Sequence, residues 1–501
     1  MSLMGIDVGT TGCKVIAFSE SGQTVASAYA EYDAVRRQPG LAELDSRDVW
    51  QKICNCVREV ATQTAHDPVS ALAVTCLGEA ATPVSKDRQI LGNSILNFDE
   101  RGQEEAAAIE AAVGRERLFN LNGNIMGHFY TAPKLMWLKK HEPEFYESAH
   151  KFLLWEDLVA YLLGCDPVID YSVANRTLLF DLEAAKWSEE LAGAMGLCTD
   201  KMAELRPSGQ LLGEVSPAMC DQLGLPRGVK VVTGGHDQCC TALGAGVIRS
   251  GMAIYGIGTF ICITPVYERL PDRPKMLASG LNIEHHVVAG HYVSFLYNLT
   301  GGALLKWYRD QFGRLEKQQA GELRIDPYDI LLADLPAEPT ALLVLPHFAV
   351  TGPPLFESRT KGAVLGLTLE TDHKTFLKGL LEGVTYYFRE GLDLLEQAGV
   401  AVQEFRATGG GAKSPVWLQI KADILGIPLA TVKVTEAGTL GAAMLAGVAT
   451  GVYRSIGEAV ESLVKVDRVF EPDPKPHDRY REQFEKYRQV YPALREILWS
   501  M

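Results

Sequence analysis

A chain of 501 residues is too long for one hydrophobic core, so two large domains are expected. Hydrophobic residues make up 47% and charged residues 22%, the proportions of an ordinary globular protein. The net charge of −14 argues against a nucleic-acid binder, which needs a basic face, and leaves any anion site dependent on local donors.

In chain order, the first stretch is the most informative. Met4-Gly5-Ile6-Asp7-Val8 and Cys13-Lys14-Val15-Ile16-Ala17-Phe18 are short apolar runs around Gly9-Thr10-Thr11-Gly12, the pattern of a β-hairpin. Gly9 and Gly12 are expected at positive φ, so that successive N–H groups converge on one anion. Thr10, Thr11 and Lys14 add side-chain donors, with a solvated strand position as the plainer reading of Lys14. Asp7 at the strand end suits a divalent ion or its water shell. The chain enters this strand almost at once, leaving no room for a charged and apolar leader.

Thr24 to Ala30 reads as a third strand, and Asp45 or Ser46 as the cap of a helix carrying Val49, Ile53, Val57 and Val60 on one face. Val69 to Cys76 is an apolar strand that ends at Gly78-Glu79-Ala80-Ala81. Ile95 to Phe98 reads as another, followed by Asp99-Glu100-Arg101. Helical patterns cover 134–140 and 155–163 in a mainly helical middle. Val229 to Thr233 opens a β-rich passage and runs into Gly234-Gly235-His236-Asp237-Gln238. Met252 to Gly256 and Thr259 to Thr264 form a second hairpin about Gly258. Phe376 to Glu396 is a long helix, and Phe405 to Thr408 leads through Gly409-Gly410-Gly411 to a helix over 414–425. A small-residue helix over 438–451 follows, and the proline-rich run 472–476 reads as a linker into a terminal helix over 476–499.

Several chemistries find no support. No apolar run reaches membrane-spanning length. The 10 cysteines, with Cys54-x-Cys56 and Cys239-Cys240 as the nearest pairs, lack zinc spacing, so reduced thiols in a cytoplasmic protein are expected. Lys413-Ser414 follows Gly411-Ala412 without the glycine a Walker loop requires, and no GxGxxG opens a helix after a strand. What remains is Gly9-Thr10 and Gly258-Thr259 between paired apolar strands, half a chain apart, and then Gly409 to Gly411. Each alone is an ordinary turn. In the order hairpin, hairpin, glycine-rich strand-to-helix loop they point to the actin-like ATPase architecture.

With that order in place, the sequence resembles the FGGY carbohydrate kinases over essentially its whole length. Phe129-Tyr130-Thr131-Ala132-Pro133-Lys134-Leu135-Met136-Trp137-Leu138-Lys139-Lys140-His141 fits the family's first signature throughout. Gly362 to Leu367 and Leu380-Leu381-Glu382 match the second, with departures at Thr375 and Gly379. Asp170 to Thr177 and Gln419 to Asp423 look like further family blocks. The fold this implies is α/β, with two actin-like (ribonuclease H-like) domains, 1–246 and 247–501, flanking a deep catalytic cleft.

The resemblance also implies a chemistry: ATP-dependent phosphorylation of a small sugar, ketose, sugar acid or polyol, with Mg²⁺; the block 170–177 looks closest to gluconate and ketose kinases. A sugar hydroxyl is a poor nucleophile, and Asp237 matches the family's base, although a helix N-cap is the plainer reading of that residue. Asp7 would orient Mg²⁺; Thr10, Thr11, Lys14, Gly258 and Thr259 would hold phosphate. Gly302, Gly409, Gly410 and Gly411 would border the nucleotide. His236 and Gln238, the loop Glu79-Ala80-Ala81, and Asp99 with Arg101 would face the sugar, against the plainer reading of a surface ion pair for the last two. Lys134 and Trp137 read as structural. Glu79-Ala80-Ala81 departs from the Gln-Met-His of xylulokinases and the Gln-Arg-Glu of glycerol kinases, and Asn97 stands where Trp is common. A pentulose such as xylulose remains among the substrates expected. Neither a nucleic acid nor a membrane is expected as a partner; a homodimer is. An actin-like ATPase switch and a sugar sensor without turnover are the alternatives.

Overall fold

The structure, a computed structural model, describes residues 1–501. The chain opens with strands β1 (Ser2–Val8), β2 (Gly12–Phe18) and β3 (Thr24–Glu31), helix α1 (Ser46–Gln63) and strand β4 (Val69–Cys76). Helices α2 (Thr131–His141), α3 (Trp155–Leu163) and α4 (Tyr171–Asn175) follow, then β5 (Leu211–Glu214), β6 (Lys230–His236) and helix α5 (Asp237–Gly244). The later half contains the strands β7 (Met252–Ile257), β8 (Ile261–Tyr267) and β9 (Leu296–Asn298), and the helices α6 (Gly301–Gln311) and α7 (His373–Gln397). It closes with β10 (Glu404–Thr408), α8 (Pro415–Leu425), β11 (Leu429–Val432), α9 (Ala437–Ala449), β12 (Val466–Phe470) and α10 (Pro474–Trp499).

Two compact units interleave along the chain. Residues 1–248, 282–293 and 436–464 make the first; residues 249–281, 294–435 and 465–501 make the second. The first crossing lies close to the expected boundary at 246/247, but a single cut misses the two returning segments. The return of 436–464 has a packing cause. Helix α9 buries Leu440, Ala442, Ala443 and Met444, and its backbone lies so close to β1 and α5 that a Cβ on Gly5 would strike the carbonyl of Thr439. One on Gly244 would strike the carbonyl of Ala437, and one on Gly441 that of Cys240. Only a helix of small residues docks this closely.

The sheet of the first unit runs β3-β2-β1-β4-β6-β5. Strands β1, β4 and β6 are parallel, and β2, β3 and β5 pair antiparallel to their neighbours. The sheet of the second unit contains the order β9-β8-β7-β10-β11-β12 with the same sequence of pairing senses. Each unit is therefore an α/β body built on one topology, as the repeated Gly-Thr hairpin suggests.

Local sequence explains most elements. The Asp45 side chain caps α1 by accepting from the N–H groups of Arg47 and Asp48, and Val49, Ile53, Val57 and Val60 form its buried face. Four expectations fail. The strand expected over 95–98 reduces to Ser94–Ile95, because the chain turns at once to bring Asp99 back to the backbone of Ala42. Thr259 lies in the turn and β8 begins at Ile261. Helix α10 begins at Pro474, inside the expected linker, because proline suits a first helical turn. Gly9 and Gly12 do not adopt positive φ. A Cβ on Gly12 would instead meet the ring of the exposed Tyr29.

Candidate active site

Parallel pairing puts the C-terminal ends of β1, β4 and β6 along one edge of the first sheet, where open α/β sheets bind ligands. Asp7 is the penultimate residue of β1, and Asp237 opens α5 directly beyond β6. The N-cap of α5 is His236, so Asp237 is not the cap. Burial, then the charge of Glu79, lift Asp237 to about 6, against the backbone N–H and side chain of Gln238 and the charge of Arg176. The Asp237 side chain keeps 35% of its exposure and can meet a solute. Burial, then the charge of Asp237, push Asp7 up to about 7; Lys14 opposes this and Glu436 adds to it. The two carboxyls therefore share one field.

Around them sits a set of paired charges. Arg176 donates through Nη1 to Glu284 Oε1 at 2.6 Å and through Nη2 to Glu79 Oε1, and its guanidinium lies 5.0 Å from the Tyr130 ring centroid. Asn282 Nδ2 donates to the same Glu284 oxygen at 2.7 Å. Burial works against the charge on Arg176, but Glu284 and Glu79 raise its pKa well above the usual value. Glu79 itself is held at φ +65°, a left-handed conformation costly for a non-glycine residue. Thr131 at the start of α2 donates to its carbonyl at 2.7 Å. His236 Nε2 lies 3.4 Å from Asp237 Oδ1; burial, then the charge of Arg176, keep its imidazole neutral.

The other candidates of the first unit divide. Thr10 and Thr11 sit in the β1–β2 turn, which Tyr32 ties down by donating from its hydroxyl to the Gly9 carbonyl at 2.7 Å and from its N–H to the Thr11 carbonyl at 3.0 Å. Lys14 Nζ is 2.7 Å from Glu436 Oε2, an ion pair and not a lone donor. Ala80 is fully buried in the hydrophobic core, while Ala81 is only partly buried. Asp99 and Arg101 are not at the surface. Asp99 is fully buried and accepts from the Ala42 N–H at 2.6 Å, the Arg101 N–H at 2.9 Å, and Arg101 Nε and Nη2 at 2.9 and 2.7 Å. Arg101 also pairs with Glu43 at 2.7 Å and lies 5.1 Å from the Trp137 ring centroid. Burial lowers Lys134 to about 8, and its ammonium donates to the carbonyls of Asp99 and Arg101. Lys134 and Trp137 thus hold the 99–101 turn.

In the second unit the expected nucleotide residues meet. A Cβ on Gly302, in α6, would strike the Gly258 carbonyl, and the N–H of Ala303 donates to the Thr259 carbonyl at 2.9 Å. Gly409 (φ +87°) and Gly411 both lie against Ile257, the last residue of β7, while Gly410 borders open space. Bare backbone facing a void is what a flat or charged ligand needs for close approach.

Three residues of the first site escaped sequence reasoning: Arg176, Glu284 and Glu436. Arg176 falls inside the quoted block 170–177 but carries no spacing signal. Glu284 is 108 residues away from it, and no short-range pattern announces such a pair.

Fold, paired loops and carboxylates together define a kinase of the actin-like type. The chain belongs to the FGGY family of carbohydrate kinases: residues 2–244 match its N-terminal domain and residues 257–450 its C-terminal domain. It is an enzyme of ATP-dependent sugar phosphorylation. It is 29% identical over 498 residues to a xylulose kinase of Staphylococcus epidermidis, covering 99% of this chain and 97% of that protein. It is also 29% identical over 515 residues to an autoinducer-2 kinase of Salmonella typhimurium, covering 99% and 95%. Among solved structures, the xylulose kinase of Rhodospirillum rubrum aligns with a TM-score of 0.90 at 25% identity, over 99% of this chain and 100% of that one. No helix is long and apolar enough to cross a membrane.

Proposed function

We propose that this kinase transfers the γ-phosphoryl group of ATP to a hydroxyl of a small neutral ketose, a pentulose such as xylulose, with Asp237 as general base. The observation that carries this reading is the Asp237 carboxyl itself, partly exposed at the mouth of a buried charge cluster and poised at about 6. A base with that pKa is ionised at neutral pH and still accepts a proton in the transition state. As the sugar oxygen attacks phosphorus, its proton passes to Asp237, the new O–P bond forms, and ADP leaves with the electrons of the old one.

Arg176 supports a neutral substrate over a sugar acid. Its guanidinium is engaged by Glu79 and Glu284, so it offers no unmatched positive charge to a substrate carboxylate. Glu79 and Asp237 add negative field that disfavours an anion. The relatives named xylulose kinase support a pentulose; those named autoinducer-2 kinase keep other small polyhydroxy ketones within the class.

For Mg²⁺ the residues fit. Asp7 is a hard-oxygen donor in a field that the charges of Asp237 and Glu436 make acidic and Lys14 only partly offsets. That suits an ion held by one carboxylate, waters and phosphates. When bound, Mg²⁺ supplies neutralisation of the phosphate charge. Thr10, Thr11 and Thr259 are the hydroxyl donors, and Gly258, Gly302 and Gly409 to Gly411 the bare backbone, that we assign to ATP.

The test is ADP release from Mg·ATP with D-xylulose, L-xylulose, D-ribulose, L-fuculose, gluconate, erythritol and glycerol. One neutral ketose stimulating turnover far above basal hydrolysis supports the proposal. Gluconate as the best substrate overturns the neutral-ketose reading. A flat panel with intact ATP binding shifts the protein to an actin-like switch or a sugar sensor.

A further inference from the structure

Strand β6 does not reach Asp237 in regular register. Val232 lies opposite Ala73 of β4 and Gly235 opposite Thr75, so the two residues between them on β6, Thr233 and Gly234, face one on β4. This is a β-bulge, which re-aims the residues that follow it and withdraws a backbone group from the ladder. The N–H of Gly234, inside the bulge, donates to Glu156 Oε1 at 2.9 Å. The other oxygen of that carboxylate accepts the N–H of Asp170 at 3.0 Å. One buried side chain therefore ties the bulge to the start of α4.

The connection continues to the residue before Asp237. Asp170 Oδ2 accepts from the Ser172 N–H at 2.8 Å, from Ser172 Oγ at 2.7 Å and from Ser208 Oγ at 2.7 Å, while Oδ1 accepts from the Val173 N–H at 2.9 Å. With its proton given to Asp170, Ser172 Oγ accepts the N–H of His236 at 2.9 Å. The bulge is thus gripped on both sides, at Gly234 by Glu156 and at His236 by Ser172. Glycine is needed at 234 and at 235: a Cβ on Gly234 would strike the Val74 carbonyl, and one on Gly235 would strike Val287 Cγ1 and sit 2.9 Å from Ser172 Oγ.

Glu156, Asp170 and Ser172 are all buried, and two buried carboxyls side by side are an expensive way to stabilise a core. Burial raises both; the charge of Asp170 raises Glu156 further, while the hydrogen bonds from Ser208, Val173 and Ser172 oppose the rise at Asp170. An apolar core would pack the strand without that penalty, but would leave the freed N–H groups of the bulge unsatisfied.

We propose that Glu156, Asp170 and Ser172 are positioning residues for the catalytic base: they fix the β6 bulge and thereby the direction in which Asp237 leaves the sheet. The proposal rests on the reading of Asp237 as base. A general base must sit within hydrogen-bond reach of the hydroxyl it serves, and a small misplacement costs rate without costing affinity.

A double-mutant cycle tests it, using Ser172→Ala, Asp237→Asn and the pair, with the sugar of the panel that stimulates turnover most. Ser172→Ala should lower kcat about tenfold while the KM values for ATP and sugar stay within about twofold. In the Asp237→Asn background the same change should cost nothing further, because misaiming a side chain that is no longer a base has no consequence. An equal loss in both backgrounds makes Ser172 merely structural and overturns the proposal, as does an unchanged kcat in Ser172→Ala. Full activity in Asp237→Asn instead overturns the base assignment, whatever Ser172→Ala does, and a flat panel removes both. Ser208→Ala, which takes one donor from Asp170 at a partly buried position, replaces Ser172→Ala in the cycle if that variant does not fold.

Discussion

The two units carry the same sheet and opposite chemistry. In the first hairpin the last paired residues are Val8 and Cys13, preceded by Asp7 opposite Lys14; in the second they are Ile257 and Ile261, preceded by Gly256 opposite Cys262. Beyond β4 the first unit places Glu79, and beyond β10 the second places Gly409, Gly410 and Gly411. Beyond β6 comes Asp237; beyond β11 comes Lys433. One topology therefore gathers carboxylates in one body and strips side chains away in the other. The framework sets where the loops emerge, and the residues on them decide whether a loop handles protons or admits a ligand to the backbone.

On that division, loss of a carboxylate in the first unit falls on rate, and damage to the glycine loops of the second falls on nucleotide affinity. The largest effect is expected from Asp237→Asn, which should lower kcat by roughly 10²- to 10⁴-fold with the KM for ATP nearly unchanged; initial-rate kinetics decide it. Asp7→Ala should cost about 10²-fold with every sugar and raise the Mg²⁺ concentration needed for half-maximal rate. An unchanged metal dependence would remove Asp7 from the ion.

The shared field of the two carboxyls has a pH consequence for both rate and stability. Activity should fall about tenfold per unit as pH drops below the 6 of Asp237, because the base is then protonated. Stability should move the other way. Between the ordinary carboxylate value near 4 and the raised values of about 6 and 7, the folded protein keeps protons that the unfolded chain has released. Their contribution is fully present below the unfolded value and is lost as pH rises through 6 to 7. Asp7→Asn and Asp237→Asn should each flatten that decline in denaturant titrations from pH 4 to 8. In the second unit, Gly409→Ala meets φ +87° and the Ile257 carbonyl, a strain of roughly 1–3 kcal/mol. It should raise the KM for ATP several-fold and leave the sugar KM alone.

How much of this was legible follows from sequence distance. Strand β4 and helix α3 coincide with the apolar runs at 69–76 and 155–163, because apolar patterning and glycine punctuation are local signals. The order of hairpin, hairpin and glycine loop carried the architecture. The pairing of charges was not legible. Asp99 and Arg101 read as sugar ligands or a surface pair, but the turn that buries them depends on Lys134 and Glu43. The interleaving of the units depends on α9, whose small residues announce close packing without naming the partner. The bulge before Asp237 is invisible because Gly234 and Gly235 look like any flexible turn, while the carboxylate that grips them lies 78 residues earlier.

The smallest expected effect bears on the same limit. Sequence alone leaves Lys14 between a phosphate donor and a solvated strand position; the structure pairs it with Glu436, 422 residues on, with 32% and 40% of the two side chains exposed. A pair that open is worth no more than about 1 kcal/mol of stability, so Lys14→Met and Glu436→Gln should each shift the unfolding free energy by less than that. Their kinetics separate the two roles. If Lys14 serves phosphate, Lys14→Met raises the KM for ATP and reduces its salt dependence, while Glu436→Gln, which frees the ammonium, lowers that KM. If Lys14 serves only Glu436, neither change reaches ATP, and the hairpin's contribution to the nucleotide rests on Thr10, Thr11 and its backbone alone. The sign of the Glu436→Gln effect is the sharper measure, since loss of a carboxylate improves ATP binding only where phosphate competes for the same lysine.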